Sequence, residues 1–356
     1  MLRSLAPRGF ARNAGEAIGL AWAGCLLAGT LAGLLAASGA LAQGEAGKAD
    51  KDAPAPKAVP KPPKPQLPEK GEKEIDLTPV ELGGRELQTT DGVQLRATFL
   101  PGAKGKNTVP VILLHAFKGD RKDYAPLAQY LQKQGHAVLV PDLRGHGESV
   151  NTLSGVKLEA GRLSAEQFER MYYQDMETLR DFLVQKNNEE KLNISKLCVV
   201  GAEMGALVAL NWARCDWSSL TGERPPMHVK ALVLISPPRN MPGLDTRLAL
   251  NNPFVRRELS VLILVGKEKA REYEEAKRLF AIFKRYHPDP PEEEKLQKQD
   301  LFSMALPTKL QGTKMLGVRG LNVEQLIGQF IELRLVKQNL PGYEWRKRRL
   351  KTEVKE

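Results

Sequence analysis

The chain has 356 residues, a formal net charge of +11 and three cysteines, and 42% of its residues are hydrophobic. This is enough for one large folded domain plus appendages, with a core held by burial rather than by disulfides. No Cys/His spacing of a zinc site occurs, so neither a metal nor another cofactor is expected.

Arg3, Arg8 and Arg12 precede an apolar stretch from Ala17 to Ala42. It ends in Ser38-Gly39-Ala40-Leu41-Ala42-Gln43, with small residues where an A-x-A cleavage site needs them. Residues 1–42 therefore read as an export signal, or, given their length, as an uncleaved anchor. Cys25 interrupts the apolar run instead of following it, which argues against a lipoprotein signal. Residues 43–74 are rich in Ala, Pro, Lys and Glu and cannot bury a core; they read as an extended tether or a plain leader.

A folded domain is expected over 75–340. Glu86–Thr90 and Val93–Leu100 flank Asp91-Gly92 and predict a hairpin. Pro110–His115 is a buried strand, Tyr124–Gln134 an amphipathic helix, and Ala137–Val140 the next strand. Ser164–Lys186 predicts a long helix capped by Ser164. Lys196–Val200 is a strand, and Ala206–Arg214 has helical spacing. Strands follow at Ala231–Ile235, Val261–Val265 and Leu301–Leu306, with helices at Arg271–Tyr286 and Leu321–Val336. Alternating strands and helices imply a doubly wound, mostly parallel sheet with an antiparallel hairpin at one edge. Cys198 in its strand and Cys215 at the far end of the next helix are too far apart to be bridged, so both are expected as free thiols.

Residues 341–356 carry Arg346, Lys347, Arg348, Arg349 and Lys351. This segment reads as a solvated tail, or as a contact for an anionic surface. No specific nucleic-acid motif is present.

Three local signatures occur in order. His115-Ala116-Phe117-Lys118-Gly119 follows the first buried strand, Asp142-Leu143-Arg144-Gly145-His146-Gly147-Glu148-Ser149 follows the second, and Gly201-Ala202-Glu203-Met204-Gly205 joins a strand to a helix. Together they resemble the α/β-hydrolase fold, in particular its serine-hydrolase branch with S33-type peptidases and dienelactone hydrolases, over about Leu87 to Leu335. The resemblance implies a G-x-S-x-G elbow at Glu203, an oxyanion hole from the backbone N–H groups of Phe117 and Met204, and a pocket shaped by His115, Gly119, Asp142, Arg144 and His146. It also implies a catalytic acid at Lys269 and a catalytic histidine at Gln311. Asp142 and Arg144 look like a loop-stabilising pair, and Asp175 like ordinary helix patterning. Trp212 and Trp217 are expected in the core.

A triad needs a hydroxyl, an imidazole and a carboxylate in cooperation. Here the three positions hold Glu203, Lys269 and Gln311, and no histidine follows His287. A carboxylate can be an elbow nucleophile, but glutamate reaches about 1 Å too far, and an amide cannot take a proton from water. The expectation is an exported protein that has lost its triad and acts as a binding or scaffold module for an unidentified ligand or protein partner. The alternative is an active hydrolase using Glu203 or a relocated nucleophile. Glu203 is expected to pair with Lys269, through the Gln311 amide, as a neutral plug; independent drift with a solvated Glu203 is the other reading. The short segment between Pro237 and Ser260 leaves no room for a large lid, so the crevice should be open.

Overall fold

A computed structural model describes residues 76–218, 227–338 and 340–349. The expected signal or anchor (1–42), the linker (43–74), the domain boundary at 75 and the last tail residues (350–356) lie outside the described residues. Among the described residues no helix is long and apolar enough to cross a membrane.

Eight strands form one sheet. They are β1 (Val80–Leu82), β2 (Arg96–Leu100), β3 (Pro110–Leu114), β4 (Ala137–Asp142), β5 (Leu197–Ala202), β6 (Val229–Ile235), β7 (Ser260–Gly266) and β8 (Leu301–Leu306). Their order across the sheet is β1-β2-β4-β3-β5-β6-β7-β8. β2 runs antiparallel to both neighbours, and every other neighbouring pair is parallel. The inner strands are buried along their whole length, which is why they read as unbroken apolar runs.

Period-two alternation divides those runs between two cores. Ile112, Leu114, Leu197 and Val199 face one layer; Val111, Leu113, Cys198 and Val200 face the other. The second layer holds α1 (Ala125–Lys133), through Leu127 and Leu131. The first holds α2 (Ala165–Arg170), α3 (Met176–Asn188), α4 (Met204–Asp216) and α5 (Ala270–Lys284). The last helix, α6 (Val323–Ile331), packs beside α1 in the second layer. Trp212 and Trp217 are core residues, and neither Cys198 nor Cys215 is joined in a disulfide among the described residues.

The antiparallel edge departs from expectation. The Asp91-Gly92 turn forms, with Gly92 at φ 84° and the Val93 amide donating to Thr89 Oγ1 at 2.9 Å. Its first arm is not a strand, because Gly84–Leu87 coils into a 3-10 turn that buries Leu87. Gly84 at φ 65° turns the chain there, and β2 pairs instead with Val80–Leu82. The helix expected over 164–186 is capped by Ser164, which accepts from the Gln167 amide. It continues to Asn188 through a wide π-turn at Met171–Asp175, which brings Asp175 to a fully buried position. Residues between β6 and β7 form a short antiparallel pair and two short helices, and they lie against the domain through Leu244, Ala249, Leu250 and Val255.

The segment after α6 was expected to be solvated. Its described part is instead laid across the amino ends of the strands. Asn193 Nδ2 donates to Tyr343 O at 2.8 Å, Asn187 Nδ2 to Arg346 O at 3.0 Å, and Asn188 Nδ2 to Arg348 O at 2.8 Å. Three asparagine amides thus satisfy backbone carbonyls that water would otherwise hold.

Candidate functional site

The parallel strands bring their carboxyl ends together, and the loops leaving those ends form the site. β5 ends at Ala202, Glu203 turns the chain, and α4 starts at Met204. Glu203 has φ 49° and ψ −108°, a conformation that favours glycine. The flanking glycines permit the sharp turn: a Cβ on Gly205 would collide with the carbonyl of Leu114, and one on Gly201 with the backbone of Gly205. The turn is held by Glu203 N donating to Ile235 O at 2.9 Å, and by Glu203 O accepting from Ala206 N at 3.1 Å.

The Glu203 carboxylate is half-buried and lies against Gly312, where an added Cβ would come within 2.6 Å of Oε1. Burial raises its pKa above the usual carboxylate value; the charges of Lys314 and then Lys269 pull it back in part. Among the described residues the carboxylate makes no hydrogen bond and no ion pair. The expected Glu203–Lys269 pair is therefore not formed. Lys269 sits at the carboxyl end of β7 as the N-cap of α5, exposed and with no side-chain cap bond. A cation there faces the positive end of a helix, where a carboxylate would be favoured.

Gln311 does not bridge the two. Its Oε1 accepts from Ser236 Oγ at 2.6 Å and from the Gly266 amide at 3.3 Å, and its Nε2 donates to Gly266 O at 2.8 Å. Ser236 Oγ also accepts from Gly312 N at 3.0 Å. The amide ties the end of β7 to the turn after β8, and Ser236 completes the knot. The sequence reading missed Ser236. Its signal was a serine between a buried strand and Pro237-Pro238, and it holds φ 50°.

The neighbouring loops are more fully paired. His115 lies fully buried, with Nδ1 2.8 Å from Ala116 O and Nε2 accepting from Leu143 N at 3.0 Å. Both ring nitrogens are used, and burial lowers its pKa, so the ring is a neutral fastener between two loops. Phe117 follows, and Lys118 takes φ 62°. Among the described residues the N–H groups of Phe117 and Met204 donate to no protein acceptor. Gly119 closes the loop onto Ala116 O at 3.0 Å, and a Cβ there would press on the Asp123 carboxylate.

Asp142 and Arg144 are not partners of each other. Asp142 pairs with the Arg121 guanidinium and accepts from the amides of Arg121 (2.7 Å) and Glu148 (2.9 Å). Arg144 is fully buried and pairs with Asp175 at 2.6 Å and Asp91 at 2.7 Å. Asp175, expected as routine patterning, is thus the buried counter-ion of Arg144, and the π-turn is what delivers it. At Asp91 burial works against ionisation, but Arg144, Thr89 and Arg170 outweigh it and bring the pKa to about 2.

The chain has five histidines, and all five are described. His115 is spent as above. His146 places Nδ1 3.0 Å from Arg144 O, while its Nε2 is buried without a partner; burial and then His115 lower its pKa to about 4. The other three stand at or beside the amino ends of strands, away from Glu203. His136 precedes β4, His228 precedes β6 and lies 3.2 Å from Asp216, and His287 places Nδ1 2.8 Å from Asp300, just before β8.

This sheet order, with the glycine-flanked elbow after β5, is that of the α/β-hydrolase fold. The family model described as "alpha/beta hydrolase fold" matches residues 109–258, and the chain has that fold. A search of curated proteins returns no match. Among solved structures, the chain is similar to a Pyrococcus furiosus esterase, at 17% identity over 72% of this chain and 91% of that one with a TM-score of 0.49. It is also similar to a dienelactone hydrolase from Anabaena variabilis (18%, 71% and 96%, TM-score 0.42). A third is Est1E from Butyrivibrio proteoclasticus, solved with ferulic acid bound (16%, 69% and 98%, TM-score 0.46). Likeness at this level concerns the fold and leaves activity to the site.

Proposed function

We propose that this protein is a non-catalytic α/β-hydrolase-fold module that binds a ligand or protein partner, and that it is exported. The observation carrying the first part is the fate of the five histidines. One is spent between two loops, one is enclosed beside them, and three stand at the other end of the sheet. A nucleophile at Glu203 would have no base to activate water for the second half of the reaction. Gln311 is committed to Ser236 and Gly266 and offers no proton acceptor to the crevice. The free N–H groups of Phe117 and Met204 can still orient an acceptor oxygen, so the crevice keeps a means of binding. Export rests on the sequence of residues 1–42.

The test is an assay of the purified chain on short p-nitrophenyl esters and on an anilide. Wild type and Glu203→Ala are expected to match the buffer rate alike. Turnover by wild type that disappears in Glu203→Ala would overturn the reading and establish an active hydrolase.

A further inference from the structure

The strap after α6 lies at the end of the sheet opposite Glu203. Beyond its three asparagine contacts, Arg348 donates to Ser195 Oγ at 2.7 Å, Trp345 Nε1 donates to Asn187 O at 3.2 Å, and the Lys106 ammonium stands 4.4 Å from the Trp345 ring centroid. These contacts fix the backbone and leave Arg346, Lys347 and Arg349 exposed. Among the described residues none of the three has an acidic partner within ion-pair distance. The nearby acids are already neutralised: Glu189 by Lys191 at 2.9 Å and Lys186 at 3.2 Å, and Glu190 by Lys106 at 2.9 Å. Glu344, on the strap itself, accepts from the Gly342 amide. What remains is a fixed row of cations rather than a diffuse tail.

The first strand, β1, also starts toward this end. β1 starts at Val80, opposite Phe99, which in turn lies opposite Leu139 near the start of β4. Upstream in the sequence, Ala17–Ala42 is an apolar stretch without a charged residue. An apolar stretch of bilayer-spanning length in the same chain favours a lipid surface over a nucleic acid. We infer that Arg346, Lys347 and Arg349 are a docking surface for anionic phospholipid headgroups, which holds the domain with its Glu203 crevice turned away from the bilayer.

Each cation near an anionic surface contributes about fivefold in partitioning, so three contribute about 100-fold. The test uses the full chain with sucrose-loaded vesicles, either neutral phosphatidylcholine or the same lipid with one part in three phosphatidylglycerol. Binding to the neutral vesicles reports the apolar N-terminal stretch alone. Wild type should prefer the anionic vesicles by on the order of 100-fold at low salt, a preference that shrinks as salt shortens the screening length. Arg346→Glu/Lys347→Glu/Arg349→Glu should erase that preference and leave neutral-vesicle binding and the thermal melt unchanged. Three results would each overturn the inference: a variant that keeps the preference, a wild type with none, or a wild type that binds a short DNA duplex more tightly than anionic vesicles at equal salt. A variant that melts early is replaced by Arg346→Gln/Lys347→Gln/Arg349→Gln, for which the same loss is expected.

Discussion

The loop Asp142–Ser149 and the crevice at Glu203 occupy the same end of one sheet and are built on opposite terms. In the loop, charge is buried and answered. Arg144 meets two carboxylates, Asp142 meets one guanidinium and two amides, and Ser149 Oγ donates to Asp142 O at 2.7 Å. In the crevice, Glu203 and Lys269 are left unpaired among the described residues, while Gln311 is used as a fastener. The first region is a frame whose groups depend on each other. The second keeps a sharp turn with an unfavourable φ at Glu203, whose carboxylate has no partner among the described residues.

Among single substitutions, breaking the frame should give the largest effect. Arg144→Met removes a fully buried guanidinium and strands Asp175, so a loss of about 3–5 kcal/mol is expected in urea unfolding. A loss under about 1 kcal/mol would mean that the network does not hold the loop. Acid should act next. Burial lowers the pKa of both His136 and His146 to about 4. Between about pH 6.5 and pH 4 the unfolded chain binds protons at these rings that the folded chain does not, so stability must fall as pH falls through that window. Between pH 7 and pH 4.5 this amounts to on the order of 2 kcal/mol per ring, read from urea midpoints at the two pH values. A flat profile would contradict the burial of these rings.

The crevice should respond more weakly. Gln311→Ala leaves Ser236 Oγ and the Gly266 carbonyl short of partners and should cost about 1–3 kcal/mol. Glu203→Gln should be the smallest change and of opposite sign. Burial penalises the charged form of Glu203, so removing the charge at pH 7 should raise the melting temperature by a few degrees, and the gain should shrink once the pH falls below the carboxylate range. A Glu203→Gln variant that melts lower would point to an ion pair that the geometry does not contain.

Much of this architecture was legible in the chain. Buried parallel strands read as apolar runs, and the glycines at 201 and 205 announce a turn that no side chain would allow. The Ser164 cap was also readable, because capping is local. Partnerships across the fold were not. Arg144 and Asp175 are 31 positions apart, and only the π-turn at Met171–Asp175 swings the carboxylate inward. Periodicity assumes regular helix and therefore places Asp175 as ordinary patterning. The strap after α6 was read as solvated because its composition is charged; the asparagines that pin its backbone lie about 150 residues earlier. The crevice was half legible. The turn at Glu203 was readable from its glycines, but not that Gln311 would turn toward Ser236 and leave Glu203 unpaired.

The proposed function rests on there being no group, among the described residues, that can return Glu203 to its free state after it attacks a substrate. The most direct measurement counts nitrophenolate released per chain when wild type meets excess p-nitrophenyl butyrate, with Glu203→Ala as the baseline. The prediction is no more than one equivalent above baseline, however large the excess and however long the wait. Release that continues past one equivalent and vanishes in Glu203→Ala would contradict it.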